Sequence, residues 1–340
     1  MTKIVKSRAP VRISFGGGGT DVSPYTEEYG GAVVNAAINK YAFCTLKLRT
    51  DQKIIITSDD FEQTLTLENK DALIYDGNLD VIKAVIKKMH KYKCGLEIRT
   101  RCEVAPRSGL GSSAAVFASL IGAFNHLEKE YRLDDYALAE LAYDLERREL
   151  KNLGGRQDQY AAIFGNINFL EFKGNDFVRV HPLKLKNDDL YELESNLLLL
   201  NIGSRQESGA IIEEQTKNAK SDKKTLEAMH KTKILAQEIK YSLLRGNLTE
   251  FGQLLNQGWQ LKKMFSAKIS NEKIDHLYQE MKKLGAWGGK ITGAGGGGHL
   301  IVYCRPFAKP KIVKRAEELG AVYVPFNFDM LGLTTWEINE

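Results

Sequence analysis

One stretch restricts this chain more than any other. Residues Pro106-Arg-Ser-Gly-Leu-Gly-Ser-Ser-Ala-Ala115 are small and glycine-rich, and the segments on either side are patterned differently. Before them, Leu96 to Val104 (LEIRTRCEV) alternates apolar and polar residues, the period of a half-buried strand. After them, Val116, Phe117, Leu120, Ile121, Phe124 and Leu127 recur at helical spacing, which predicts a helix from near Ser112. A strand, a small-residue loop and a helix start aim free backbone N–H groups and a positive dipole end at one point, and such a point binds phosphate. Ser112 and Ser113 add hydroxyls that either cap the helix or hold a metal. The loop by itself does not choose between them.

Two better-known nucleotide loops are excluded. No stretch reads G-x-x-x-x-G-K-[ST], the pattern of a Walker loop. Gly109-x-Gly111-x-x-Ala114 mimics a dinucleotide fingerprint, but a second long helix follows where that fold needs a strand ending in an acid. The formal charge of +5 is mild and spread along the 340 residues, which suits an anionic small substrate better than nucleic acid. The four cysteines, Cys44, Cys94, Cys102 and Cys304, form no C-x-x-C pair, so a reducing compartment is expected. Met1 to Lys3 lead into a strand without an apolar signal region, and no run has the length of a membrane span. The expectation is a cytoplasmic protein.

Elsewhere the chain alternates strands and helices. Ile4 to Phe15 reads as a strand broken by Gly16-Gly-Gly-Gly19-Thr-Asp21, which sets a carboxylate beside bare backbone. That combination suits sugar hydroxyls, and it equally suits a glycine turn ending in a helix cap. Ala32–Asn39, Ala42–Arg49, Lys53–Ser58 and Gln63–Leu67 read as successive short strands, and Asn78–Tyr92 as a helix. Asp134 or Asp135 caps a helix running to about Lys151, with Glu146 at the edge of its apolar stripe. Glu146 there either pairs with Arg147 or Arg148 or joins Asp158, in Gly154-Gly-Arg-Gln-Asp158-Gln159, as a metal ligand and base. Asn196–Gly203 is a buried strand, with Ser204-Arg205 opening a helix, and helices follow at Lys223–Arg245, Leu248–Met264 and Asn271–Leu284. Lys290–Gly298 joins two strands, then come a helix (Pro310–Leu319) and a strand (Val322–Phe326), an α+β layer.

Three glycine-rich stretches, Ala9–Asp21, Pro106–Ala115 and Lys290–Gly298, stand in an order that resembles the GHMP small-molecule kinases. The resemblance covers almost the whole chain. It is nearest the heptose phosphate kinase branch, through the glycine run before Thr20-Asp21, the Gly-Gly-x-Gln-Asp-Gln stretch and Ser204-Arg205. It implies an α+β fold, with a ribosomal-S5-like N-terminal domain over 1–185, including a left-handed crossover, and a ferredoxin-like C-terminal domain over 186–340.

The implied activity is ATP-dependent phosphorylation of the anomeric hydroxyl of a heptose 7-phosphate, in making activated heptose for surface polysaccharide. The cofactors would be ATP and Mg²⁺, the partners a sugar phosphate and ATP with neither nucleic acid nor membrane, and the state a monomer or homodimer. By the same resemblance Arg107, Ser108, Gly109, Leu110, Gly111, Ser112 and Ser113 would wrap the ATP phosphates. Ser113 and Glu146 would hold the metal. Asp158 would act on the acceptor hydroxyl beside Arg12. Gly17, Gly18, Asp21, Gly155, Ser204, Arg205, Gly295 and Gly296 would line the acceptor site. Galactokinases carry Glu-His where this chain has Gly18-Gly19, which disfavours galactose and leaves room for a larger or phosphorylated sugar. A fucokinase-like sugar kinase, a decarboxylase of the same fold and a non-catalytic sugar sensor are the competing expectations. Ser204-Arg205 and the Gly16–Asp21 run argue against the decarboxylase, and Arg12, Ser113, Glu146 and Asp158 together argue against the sensor.

Overall fold

In the computed structural model, residues 3–174, 177–203 and 208–339 are described. The first half of the chain runs β1 (Lys3–Gly16), α1 (Tyr25–Tyr29), β2 (Gly31–Leu48), β3 (Ile54–Ser58), β4 (Gln63–Leu67), α2 (Asp80–Met89), β5 (Leu96–Cys102), α3 (Ser112–Leu127) and α4 (Asp135–Tyr143). It continues with α5 (Gln157–Phe164), β6 (Ile167–Lys173), β7 (Phe177–Pro182), α6 (Asn187–Asn196), β8 (Leu197–Asn201), α7 (Ser208–Ser221), α8 (Lys223–Leu244) and α9 (Leu248–Lys263). The remaining elements are α10 (Glu272–Lys283), β9 (Ala286–Ile291), β10 (His299–Cys304), α11 (Lys309–Glu318), β11 (Val322–Tyr323) and β12 (Thr334–Asn339).

Two sheets result. The larger has the order β12-β1-β2-β5-β3-β4, with β6 joined to the first half of β2 and β7 to β6. Its pairings are antiparallel except β3 with β5, between which β4 and α2 intervene in the chain. The smaller sheet has the order β11-β8-β10-β9, antiparallel throughout. In chain order that is fourth, first, third, second, with helices before the second and fourth strands, the ferredoxin-like arrangement.

β1 and β2 form the spine. Along β1 the early residues alternate buried and half-exposed, while from Ala9 onward every residue is buried. The switch marks where the sheet is covered on both faces: α3 packs on β1 and β2, and α8 packs on the same two strands. Gly16 marks the tightness of that second layer, since a Cβ there would lie 2.5 Å from Ile239 Cδ1 of α8.

Several expectations need correction. Ala32–Asn39 and Ala42–Arg49 are one strand, β2, not two. The interruption between them is a register shift, because Pro10 faces Tyr41 while Val11 faces Ile38. Pro10 has no N–H to offer the ladder, and the bypassed Asn39 bonds Asn327 through its backbone and side chain instead. The helix expected to reach Lys151 is α-helical only to Tyr143 and continues as a π-helix over Asp144–Glu149. β12 lies beyond the boundary expected near residue 185, yet it pairs with β1 in the first sheet from Lys3↔Asn339 to Arg8↔Thr334.

Phe15 ties the layers together. Its buried ring meets Phe251 of α9 edge-on at 5.1 Å and Phe328 at 6.4 Å. Phe15→Ala should therefore lower stability by about 3–5 kcal/mol, the range for truncating a buried aromatic. A shift in the urea unfolding midpoint measures it; an unshifted midpoint would mean that the layers hold without this ring.

Candidate active site

The strand, glycine-rich turn and helix expected around Pro106–Ala115 are present. β5 ends at Cys102 and α3 begins at Ser112. Between them Arg107, Gly109 and Gly111 hold positive φ angles, which turn the backbone sharply. The cap of α3 is Gly111 in the left-handed region, and no side chain caps it. Ser112 and Ser113 are thus not the N-cap, and the N–H groups of the first turn have no side-chain acceptor.

The loop is clamped from two sides. From β1, the Arg12 N–H donates to the Leu110 carbonyl at 2.9 Å and the Arg12 guanidinium to the Gly109 carbonyl at 2.7 Å. From the C-terminal layer, His299 Nδ1 lies 2.8 Å from the Ser108 carbonyl, so that nitrogen carries the proton. The backbones nearly touch: a Cβ on Gly109 would lie 2.7 Å from the Thr292 carbonyl, and one on Gly298 would lie 2.4 Å from the Ser108 carbonyl. Gly298 is therefore the residue of its run that braces the phosphate loop. Gly295 and Gly296 face Ile269, Ile211 and the Lys268 carbonyl instead.

Asp158 sits in the first turn of α5, beneath the start of α3. Arg12 Nε and Nη2 reach its Oδ1 at 2.8 and 2.7 Å, so the guanidinium leaves Oδ2 available. A Cβ on Gly111 would be 3.5 Å from both Arg12 Cγ and Asp158 Cγ. Arg12, Asp158 and the phosphate loop thus meet at one place.

Asp21 is buried behind the glycine run. Its Oδ1 accepts from Gly19 N–H at 3.0 Å, and its Oδ2 from Gln157 N–H at 3.2 Å and Gln157 Nε2 at 3.1 Å. Gly155 is required here, because its Cβ would fall 2.0 Å from Asp21 Oδ2. Gly17 answers to the backbone, since a Cβ there would lie 1.8 Å from the Ala32 carbonyl. At Gly18 the nearest atoms to a Cβ would be Ser14 Oγ and Gln157 Nε2, at 3.4 and 3.5 Å. Polar groups therefore border the bare side of this residue. Ser14 Oγ, Asn35 Oδ1 and Gln157 Oε1 are buried there without hydrogen-bond partners, a set of groups ready for a hydroxyl-rich ligand.

Glu146 forms the ion pair expected with Arg147. It is buried, pairs with Arg147 at 3.3 Å and accepts from Gln159 Nε2 at 2.6 Å. Arg148 pairs with Asp144 instead. The π-helix turns Leu145 and Glu146 both inward, and Gln159 connects Glu146 to the helix that carries Asp158. Among the described residues no hydrogen bond joins Glu146 to Ser113, and no cluster of three His, Cys, Asp or Glu side chains is present. Ser204 and Arg205 lie outside the described residues.

Sequence reasoning missed two buried lysines. Lys262 of α9 donates to the Gly18 carbonyl at 3.3 Å and to Gln215 Oε1 at 3.0 Å, while Lys290 of β9 donates to the Ser14 carbonyl at 2.9 Å. Burial pushes Lys262 down to about 8, against the pull of Asp21. It pushes Lys290 down to about 7, with Lys262 and Arg12 adding to the effect and Asp21 opposing it. The available signal was a single cation in the otherwise apolar and glycine strand AWGGKI.

With this geometry in view, the comparisons agree on one family. Residues 79–166 match the GHMP kinases N terminal domain and residues 239–321 the GHMP kinases C terminal family. The chain belongs to the GHMP kinases. A D-glycero-alpha-D-manno-heptose 7-phosphate kinase from Campylobacter jejuni is 36% identical over 340 residues, 99% of this chain and 100% of that protein. The crystal structure of a D-glycero-D-manno-heptose 1-phosphate kinase from Bacteroides thetaiotaomicron superposes with a TM-score of 0.83 at 33% identity, covering 99% of this chain and 100% of that one. Lactococcus lactis galactokinase complexed with galactose shares the fold, with a TM-score of 0.78 at 19% identity over 98% of this chain and 95% of that one. The chain is accordingly an ATP-dependent kinase. No helix among the described residues is long and apolar enough to cross a membrane.

The buried lysines make stability depend on pH. An unfolded lysine keeps its proton to near its ordinary 10.5, whereas folded Lys290 releases it near 7. Between those values the unfolded chain binds more protons, so stability rises with pH across that window. Lys290→Met should flatten that rise and raise stability at neutral pH, read from urea midpoints at several pH values. A curve parallel to the parent's would show that Lys290 stays protonated in the folded protein.

Proposed function

We propose that this kinase transfers the γ-phosphoryl group of ATP to the anomeric hydroxyl of D-glycero-D-manno-heptose 7-phosphate, giving the 1,7-bisphosphate. The observation that carries the reading is the Arg12–Asp158 pair lying under Gly111, at the start of the uncapped helix. Phosphoryl transfer needs alignment and neutralised charge more than covalent help, and this arrangement supplies both. Backbone N–H groups of the loop from Arg107 to Ser113 hold the triphosphate. Asp158 Oδ2 takes the proton of the attacking hydroxyl, while Arg12 fixes the carboxylate through Oδ1. Asp21, with Gly18 and the unpartnered Ser14 hydroxyl nearby, holds sugar hydroxyls.

The donor set fits Mg²⁺. Glu146 and the Ser113 hydroxyl are hard oxygen ligands, too few to form a cage, and Mg²⁺ keeps most of its shell as water and substrate phosphate. When bound, the ion would neutralise charge on the transferring phosphates. Heptose as the sugar is supported by the names of two of the relatives above 30% identity. Their names differ in which phosphate the substrate carries, so the assay must settle its position. Activated heptose for bacterial surface polysaccharide is the setting that fits such a product.

ADP release in the presence of heptose 7-phosphate, heptose 1-phosphate, free heptose, fucose and galactose tests the assignment, with the 7-phosphate expected to react best. Release with the 1-phosphate alone would overturn the choice of hydroxyl, and a fucose preference would favour a fucokinase-like enzyme. Asp158→Asn should retain ATP binding and cut turnover by about 10²–10⁴-fold, the range for losing a positioned base. Near-parental turnover in the folded variant would remove Asp158 from the chemistry. Glu146→Gln should raise the Mg²⁺ concentration needed for half-maximal rate; an unchanged requirement would leave Glu146 as a partner of Arg147 and Gln159.

A further inference from the structure

The transfer just described leaves Lys262 and Lys290 without a task, although placing them where they are is strongly unfavourable. Each is 5% exposed, and their partners are neutral: two carbonyls of the glycine-run segment and the Gln215 amide. Among the described residues neither has a carboxylate within ion-pair distance, and burying an ammonium without a counter-ion is costly. An ammonium carries three N–H donors, so Lys262 has one and Lys290 two beyond those bonds. The neighbouring charges do not balance. Arg12 is matched by Asp158, which leaves Asp21 alone to offset both lysines.

The excess charge lies in the acceptor site. Lys290 anchors the carbonyl of Ser14, and Lys262 that of Gly18, so both ammoniums hold the segment that carries Asp21. Gly19 presses against Lys262, with a Cβ there only 3.1 Å from Nζ. Gln215, which accepts from Lys262, also reaches the Gly19 carbonyl at 3.4 Å. No mobile surface cation is involved, so the field at this place is built into the core.

We propose that Lys262 and Lys290 are specificity-determining residues whose unbalanced buried charge selects an acceptor carrying its own phosphate group over the neutral sugar. This rests on the heptose phosphate reading above and deepens it. The low-dielectric surroundings let the two charges act on the anion without touching it. A unit charge about 10 Å away, at an effective dielectric of about 20, changes binding by about tenfold or somewhat more.

The measurement is the ratio of kcat/KM for heptose 7-phosphate to that for unphosphorylated heptose, in the parent enzyme, Lys262→Met and Lys290→Met. Methionine keeps the length and apolar stem of lysine while removing its charge, and the unfolding midpoint of each variant shows that it is folded under the assay conditions. The parent should prefer the phosphorylated sugar, and each variant should lose about tenfold of that preference, over and above any loss the two sugars share through the anchored carbonyls. Equal losses on both sugars would make the lysines mere supports of the glycine run and overturn the proposal. An undiminished preference in both variants would overturn it as well, leaving the heptose reading intact. A parent with no preference for the phosphorylated sugar would overturn the proposal together with the reading beneath it.

The parent's own pH profile gives an independent readout. A sugar phosphate is dianionic above about pH 7. The groups facing the lysines are Asp21 from the glycine run, Arg12 from β1 and the neutral Gln215 and Phe265, besides the lysines themselves. Between about pH 7 and pH 9 the two lysines lose their protons. The preference ratio should therefore fall as pH rises through that range and be shallower in Lys262→Met; a flat parental ratio would count against the proposal.

Discussion

Arg12 is the interaction on which the rest depends. A single side chain on the central strand binds the phosphate-loop carbonyl at Gly109 and the carboxylate of Asp158, while its own N–H holds Leu110. Three separate stretches of chain are fixed by one planar, permanently charged group, whose fork geometry a lysine could not reproduce. Burial makes the arrangement rigid, since a guanidinium shut away from water must keep all the partners it has.

Glycine allows the rest of the site to close around that group. Gly109 against Thr292 and Gly298 against Ser108 bring backbone to backbone, and Gly155 makes room for Asp21. Each contact links a part of the first sheet's layer to a loop from elsewhere. A methyl group at any of these positions would push apart pieces that the fold holds in direct contact. The glycine-rich stretches are therefore less flexible loops than points of closest approach.

Much of this was legible in the sequence, for identifiable reasons. The phosphate loop is local: a strand pattern, a turn that needs glycine and a helix pattern occupy adjacent residues, so periodicity suffices. The Arg12–Asp158 meeting is not local and came from the family resemblance. Lys262 lies in a helical run with Lys263, where a solvated face is the natural reading, and only tertiary packing makes it a core residue. The β6–β7 hairpin, α6 and β12 went unread. In β12, Thr334–Asn339 is mostly polar, because an edge strand with one wet face has little hydrophobic alternation to display. The π-helix likewise has no periodic signature, since its register depends on where Glu146 and Leu145 find partners.

The pairing of β12 with β1 has a consequence for how the chain assembles. The other described elements lie between these two strands in the chain, so the outer edge of β1 stays uncovered until β12 is made. An open strand edge invites pairing with other chains, and contacts this distant in sequence close slowly. The short Lys3–Glu337 ion pair, at 2.9 Å, lies on the seam that finally shuts it. A nascent chain of this kinase therefore carries a sticky edge until β12 emerges, and removing the segment after Leu333 would leave that edge open and the protein prone to aggregation.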